Sequence, residues 1–201
     1  MNFKKIENSY SEEFKEAWKI YESSFPSDER RDLKSQQKLM KNKSYNFIIV
    51  LKNNILVAII TDWDFGNFLF VEHLAVKGDL RGKHIGTELL KEYLAKNKQK
   101  IILEVERPET EIAAKRIKFY EKIGFELNTF DYIQPPYGKD KSPVPMFLMT
   151  YPKKISGFEF SSIREKIHIV VYGLQKPLLD GQINSSDFAK QNPGLHLIQR
   201  G

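Results

Sequence analysis

Helical spacing and strand alternation take turns along this chain. Phe14, Ala17, Trp18, Tyr21 and Phe25 recur at the period of a helix, and Pro26 closes the stripe. Ser9 with Glu12 has the spacing of a capping box, with Ser11 as the alternative cap. Ser27 is expected to cap a second helix, with Asp28 and Glu29 in its first turn and Leu33, Leu39 and Met40 as sparse apolar anchors. Residues 45–51 and 55–61 then read as strands around Lys52-Asn53-Asn54, a hairpin signal. A turn at Asp64-Phe65-Gly66-Asn67 leads into residues 68–76, which alternate with period two and are mostly apolar on both faces. That pattern predicts an interior strand.

Ile85, Leu89, Leu90, Tyr93 and Leu94 return to helical spacing, and residues 101–105 form the next strand. A strand-helix-strand unit of this kind places its strands parallel through a right-handed crossover. A further helix is expected over about 109–123, stopped by Gly124. Residues 125–132 and 144–151 read as a closing strand pair around Gln134-Pro135-Pro136-Tyr137-Gly138. Residues 160–172 suit a last helix, although their β-branched second half equally suits a strand. The order predicts an α/β (α+β) protein built on one mixed, mostly antiparallel sheet of about six or seven strands flanked by helices. A single domain over 1–175 is expected, with a loosely held tail over 176–201 rich in Gly, Asn, Ser and Gln.

The 201 residues suffice for one substantial core, and 41% hydrophobic with 12% aromatic residues fits a globular chain. The absence of cysteine excludes disulfides, thiol nucleophiles and thiolate metal sites. The start, MNFKKIENSY, is no signal peptide, and no apolar run approaches the roughly 20 residues of a membrane helix. A cytoplasmic protein without membrane contact is the expectation. The net charge of +6 comes from lysines spread along the chain rather than from a basic block. A nucleic-acid partner is therefore disfavoured, and a polyanionic cofactor suits the charge as well. His73, His84, His168 and His196 have no metal-ligand spacing, and no Gly-x-Ser-x-Gly elbow is present, so neither metal nor serine-hydrolase chemistry is expected.

The strongest chemical signal lies between the interior strand and the helix after it. Leu80-Arg81-Gly82-Lys83-His84-Ile85-Gly86-Thr87 is a basic glycine turn opening a helix. Such a turn presents backbone N–H groups and the positive end of the helix dipole to an anion. It is neither a Walker loop nor a G-x-G-x-x-G fingerprint. Arg81-Gly82-Lys83-His84-Ile85-Gly86 resembles the acyl-CoA binding motif of the GNAT superfamily of N-acetyltransferases, Arg/Gln-x-x-Gly-x-Gly/Ala, with His84 in place of the first motif glycine. Glu72-His73-Leu74-Ala75-Val76 is similar to that family's strand leading into the loop. Arg116-Ile117-Lys118-Phe119-Tyr120-Glu121-Lys122-Ile123-Gly124-Phe125 resembles its helix ending in Phe/Leu-Tyr-x-x-x-Gly-Phe, with Ala113 where the family usually carries Asn. The likeness is clearest over 1–151.

The resemblance implies acetyl-CoA as co-substrate, held by Arg81, Gly82, Lys83, His84, Ile85, Gly86 and Thr87 and by the backbone of Leu74, Ala75 and Val76. It implies transfer of an acetyl group to a primary amine of a small molecule or peptide, by direct attack in a ternary complex. Tyr120 matches the family's general acid and cofactor contact. The base is open between Glu104, which matches a glutamate of the ribosomal-protein acetyltransferases, and Glu72, whose apolar neighbours favour a raised pKa; either works directly or through water. Glu29 and Arg30 on the first helices, with Tyr132, Gln134 and Tyr137 on the closing strands, lie where the family binds its acceptor. The closing strand also offers an edge for a homodimer. Two other readings stay open: a non-catalytic acyl-CoA binding module, and a basic nucleic-acid binder.

Overall fold

The computed structural model describes residues 1–138 and 141–178. Apart from residues 176–178, the expected tail lies outside the described residues, as does His196. The strands are β1 (Asn2–Lys5), β2 (Tyr45–Lys52), β3 (Ile55–Asp64), β4 (Phe68–Val76), β5 (Lys100–Glu106), β6 (Glu126–Gln134) and β7 (Val144–Tyr151). The helices are α1 (Glu12–Ser24), α2 (Leu33–Leu39), α3 (Ile85–Lys96), α4 (Glu111–Glu121) and α5 (Gly157–Lys166). The seven strands form one sheet in the order β1-β2-β3-β4-β5-β7-β6. This is the mixed, mostly antiparallel α/β sheet that the pattern predicts. Among the described residues, no helix is long and apolar enough to cross a membrane.

The described chain packs as two compact units, one of Met1–Pro26 with Asp32–Ile102 and one of Ser27–Arg31 with the described residues from Leu103 to Leu178. In the first unit, β1 to β4 form an antiparallel meander. Asn53 and Asn54, at φ 51° and 62°, make the two-residue turn between β2 and β3. Asparagine tolerates the left-handed region that such a hairpin turn requires. The run from Val57 to Trp63 is buried throughout, as expected of a strand covered on both faces. Phe14 packs on Phe47 with ring centroids 5.3 Å apart, and Tyr21 meets His73 edge-on at 4.8 Å. Asp62 is buried and accepts from Tyr93 Oη and Asn46 Nδ2, each at 2.7 Å. Burial raises its pKa against the pull of those two hydrogen bonds.

Several local expectations give way to the structure. Ser27 opens only a 3₁₀ turn, Ser27–Glu29, and the second helix begins after Asp32, whose carboxylate accepts from the Ser35 N–H at 2.9 Å. The acidic side chain one turn later outcompetes the serine as a cap. Of the two candidate caps for α1, Ser11 takes the role, accepting from the Phe14 N–H. Strand β1 was not legible, because a four-residue edge strand carrying Lys4 and Lys5 has little hydrophobic pattern to read.

In the second unit, Thr110 caps α4, and Gly124 ends it at φ 105°. A side chain at Gly124 would also press on the Tyr151 ring, since a Cβ there comes within 3.2 Å of it. β6 and β7 pair antiparallel, and β6 ends the sheet order. The last helix starts at a capping box of Ser156 and Glu159, so the helical alternative is the right one as far as Lys166. The β-branched stretch after it is neither α-helix nor strand but a π-helical turn, Ile167–Val171.

Candidate active site

The basic turn is built by backbone geometry. Gly82 lies at φ 77° and His84 at φ 61°, ψ 5°, both left-handed. His84 thus adopts the conformation natural to the glycine it replaces, which histidine enters more readily than most residues. It is the N-cap of α3 without supplying a side-chain cap. The first helical hydrogen bond runs from Glu88 N to His84 O. The N–H groups of Ile85, Gly86 and Thr87 therefore have no acceptor among the described residues. Lys83 and His84 are exposed beside them, whereas Ile85 is buried and anchors the turn. The Arg81 guanidinium reaches back, donating to Ser24 Oγ at 2.9 Å and, through Nε, to the Val76 carbonyl at 3.2 Å. It braces the turn against the ends of α1 and β4.

Strand β4 is irregular where the chemistry is expected. Thr61 pairs with His73 and Asp62 with Val71, so the register shifts by one residue at Glu72, a bulge. This bulge breaks the single alternation expected from Phe68 to Val76, because one inserted residue reverses the faces beyond it. The Glu72 side chain is fully buried, accepts from Trp63 Nε1 at 3.0 Å and lies 4.0 Å from His73 Nδ1.

In the second unit Glu104 gathers donors from distant parts of the sequence. Its Oε1 accepts from Tyr132 Oη. Its Oε2 accepts from Gln134 Nε2 at 2.7 Å and from Tyr172 Oη at 2.8 Å. Tyr132 and Gln134 are two apart on β6 and so share a face. Tyr137 Oη is 3.2 Å from Tyr172 Oη, and the Arg31 guanidinium lies over the Tyr137 ring at 4.7 Å. Arg31, Tyr137, Gly138 and Tyr172 help to line a recess of about 150 Å³. Burial, and then the Glu104 charge and hydrogen bond, push the Tyr132 phenol well above its ordinary pKa.

Tyr120 has different surroundings. It is buried edge-on against Phe119 and Phe125, at 5.2 Å and 5.6 Å. Burial raises its pKa, and the Arg116 charge opposes the rise. Arg116 pairs closely with Glu106, and the half-buried Glu29 belongs to the same electrostatic group. The Glu29 pKa is raised by burial and then by Glu106. The Arg30 carbonyl accepts from Lys141 Nζ.

The expected residues thus fall into local sets: the turn 81–87 behind β4, and Glu104 with Tyr132, Gln134 and Tyr137. Sequence reading missed Tyr172, which a pairing over 68 positions links to Glu104. Among the described residues, no group of three or more His, Asp and Glu is placed to hold a metal ion.

Comparison with known proteins identifies the family. The family model of an acetyltransferase (GNAT) domain matches residues 43–127. The solved structure of a GNAT-family protein from Bacteroides thetaiotaomicron is 34% identical, with a TM-score of 0.84, over 87% of this chain and all of that one. The chain belongs to the GNAT family of acetyltransferases. More distant GNAT structures share its fold. The ribosomal-protein-S18-alanine N-acetyltransferase of Escherichia coli is 19% identical, with a TM-score of 0.52, over 78% of this chain and 96% of that one. The Arabidopsis thaliana NAA60 structure in complex with acetyl-CoA is 13% identical, with a TM-score of 0.55, over 75% and 97%. No curated protein matches the chain.

Proposed function

We propose that this GNAT protein transfers an acetyl group from acetyl-CoA to a primary amine of a small molecule or peptide, by direct attack in a ternary complex. The observation that carries the reading is the turn at Gly82 to Thr87, with its left-handed residues and three unsatisfied N–H groups ahead of a twelve-residue helix. In a GNAT chain those donors suit the cofactor pyrophosphate, aided by the helix dipole and Lys83. The backbone of Leu74, Ala75 and Val76, beyond the β4 bulge, is assigned to the pantetheine arm.

An alkyl ammonium of pKa near 10.4 must lose a proton before its nitrogen can attack. Glu104 is assigned as the base, directly or through a water. Its three donors fix the carboxylate in one orientation. Glu72, fully enclosed and committed to the Trp63 indole, is assigned a supporting role in the strand. The neutral amine adds to the thioester carbon, forming the C–N bond. The adduct nitrogen gives up its remaining extra proton to solvent, the tetrahedral oxyanion collapses, the C–S bond breaks, and Tyr120 delivers its proton to the departing thiolate and regains one from solvent. Two tyrosines contrast usefully here. The Tyr132 proton is committed to Glu104, whereas burial favours the neutral form of Tyr120, which keeps its proton at neutral pH. Glu29, Arg30 and Tyr137 are assigned to the acceptor.

Thiol release from acetyl-CoA with a panel of primary amines tests the reading. Tyr120→Phe should lower turnover by about a hundredfold or more while leaving acetyl-CoA affinity within about twofold. Wild-type turnover in that variant would remove Tyr120 as the acid. Cofactor binding without thiol release to any amine would favour the non-catalytic module.

A further inference from the structure

The chain past β7 does more than cover the sheet. Ser156 caps α5 in both directions of the capping box, and Phe160 anchors it on β6, stacked on Phe130 at 4.7 Å. The helix then widens into the π turn Ile167–Val171, which rotates the residues beyond it relative to a continued α-helix. His168, wholly buried in this turn, fastens the segment from Leu174 to Leu178. Its Nδ1 accepts the Leu178 N–H at 3.0 Å and its carbonyl accepts the Leu174 N–H at 3.0 Å. Leu174 and Leu178 pack together with Ile133 and Tyr172. The product of these constraints is one hydroxyl, Tyr172 Oη, at 2.8 Å from Glu104 Oε2.

We propose that the segment from Gly157 to Leu178 is a working part of the site, and that Tyr172 is a positioning residue that holds the Glu104 carboxylate charged and aimed. The inference rests on the assignment of Glu104 as base. Tyr132 and Gln134 approach Glu104 from β6 and move with the sheet. Tyr172 approaches from a separate element, so this donor makes the orientation of Glu104 depend on the C-terminal segment. The titratable and charged groups near the carboxylate include Tyr132, Tyr172 and Tyr137 among the described residues, with Arg164 acting on Tyr132 and Arg31 on Tyr137. A donor to a carboxylate favours its charged form, so removing the donor raises the pH at which the group takes a proton.

The test is a carboxyl-carbon NMR titration of the full chain labelled at glutamate, with the Glu104 resonance assigned by its loss in Glu104→Gln. Tyr172→Phe keeps the ring and removes only the hydroxyl. Its Glu104 midpoint should rise by about one pH unit, roughly a tenfold gain in proton affinity. Leu174→Ala, which loosens the segment without touching the hydrogen bond, should move it in the same direction by less. An unmoved midpoint in both variants overturns the inference, whatever the turnover of Glu104→Gln. Wild-type thiol release by Glu104→Gln would instead defeat the base assignment and leave the hydrogen bond standing, so the two failures are distinguishable.

Discussion

The basic turn and the Glu104 cluster are built in opposite ways. The turn is contiguous, and the groups proposed to work there are backbone N–H donors set by two left-handed residues, Gly82 and His84. The cluster is discontinuous, and its working groups are side chains from β5, β6 and the segment after α5. A site made of backbone should resist most side-chain changes and fail when φ is disturbed. A site made of side chains should fail when one functional group is replaced.

Four experiments test that contrast. Glu104→Gln should lower amine-dependent thiol release by about a hundredfold or more, with acetyl-CoA affinity within about twofold. A large affinity loss would mean that the cluster serves the cofactor instead. Gly82→Val forces a β-branched residue into the left-handed region, which costs an L-residue roughly 1–2 kcal/mol or more, so CoA should bind about thirtyfold more weakly by calorimetry. Lys83→Ala and His84→Gly, which change side chains and spare the turn, should each alter affinity by about threefold or less, and the Lys83 effect should fade in salt. A loss in either variant as large as that of Gly82→Val would break the comparison.

The smallest effect is one of stability. Burial, then the Arg164 charge, lowers the His168 pKa from 6.5 to about 3, against the pull of the Ile133 carbonyl. A depressed histidine contributes stability that is present above the unfolded pKa and lost as pH falls towards the folded value, because the unfolded chain gains the proton first. From pH 6.5 to 5 that loss is roughly 2 kcal/mol. His168→Gln, which retains an acceptor for the Leu178 N–H, should flatten the fall in denaturation midpoint over that range. An unchanged slope would mean that His168 titrates normally.

The same contrast explains what could be read beforehand. Local order was legible: the stripe of α3, the hairpin at Asn53-Asn54, the stop at Gly124 and the loop motif each depend on residues within a few positions of one another. Where nearby residues competed for one role, pattern alone was insufficient. Ser27 was outbid by Asp32 as a cap, and the β-branched run after Lys166 became a π turn. The bulge at Glu72 was invisible because the pairing of Thr61 and Asp62 with β4 creates it, not any residue type. Tyr172 was passed over for a related reason. Its role depends on a hydroxyl meeting a carboxylate 68 positions away, and nothing near Tyr172 in sequence encodes that meeting.

The most direct test is calorimetric titration of the wild-type protein with acetyl-CoA, and with free CoA in a parallel run. Both should bind in the micromolar range, because the role proposed for the N–H groups of Ile85, Gly86 and Thr87 is to hold the pyrophosphate that the two ligands share. Absence of binding by either would contradict that role, and would mean that the left-handed His84 turn does not hold the cofactor.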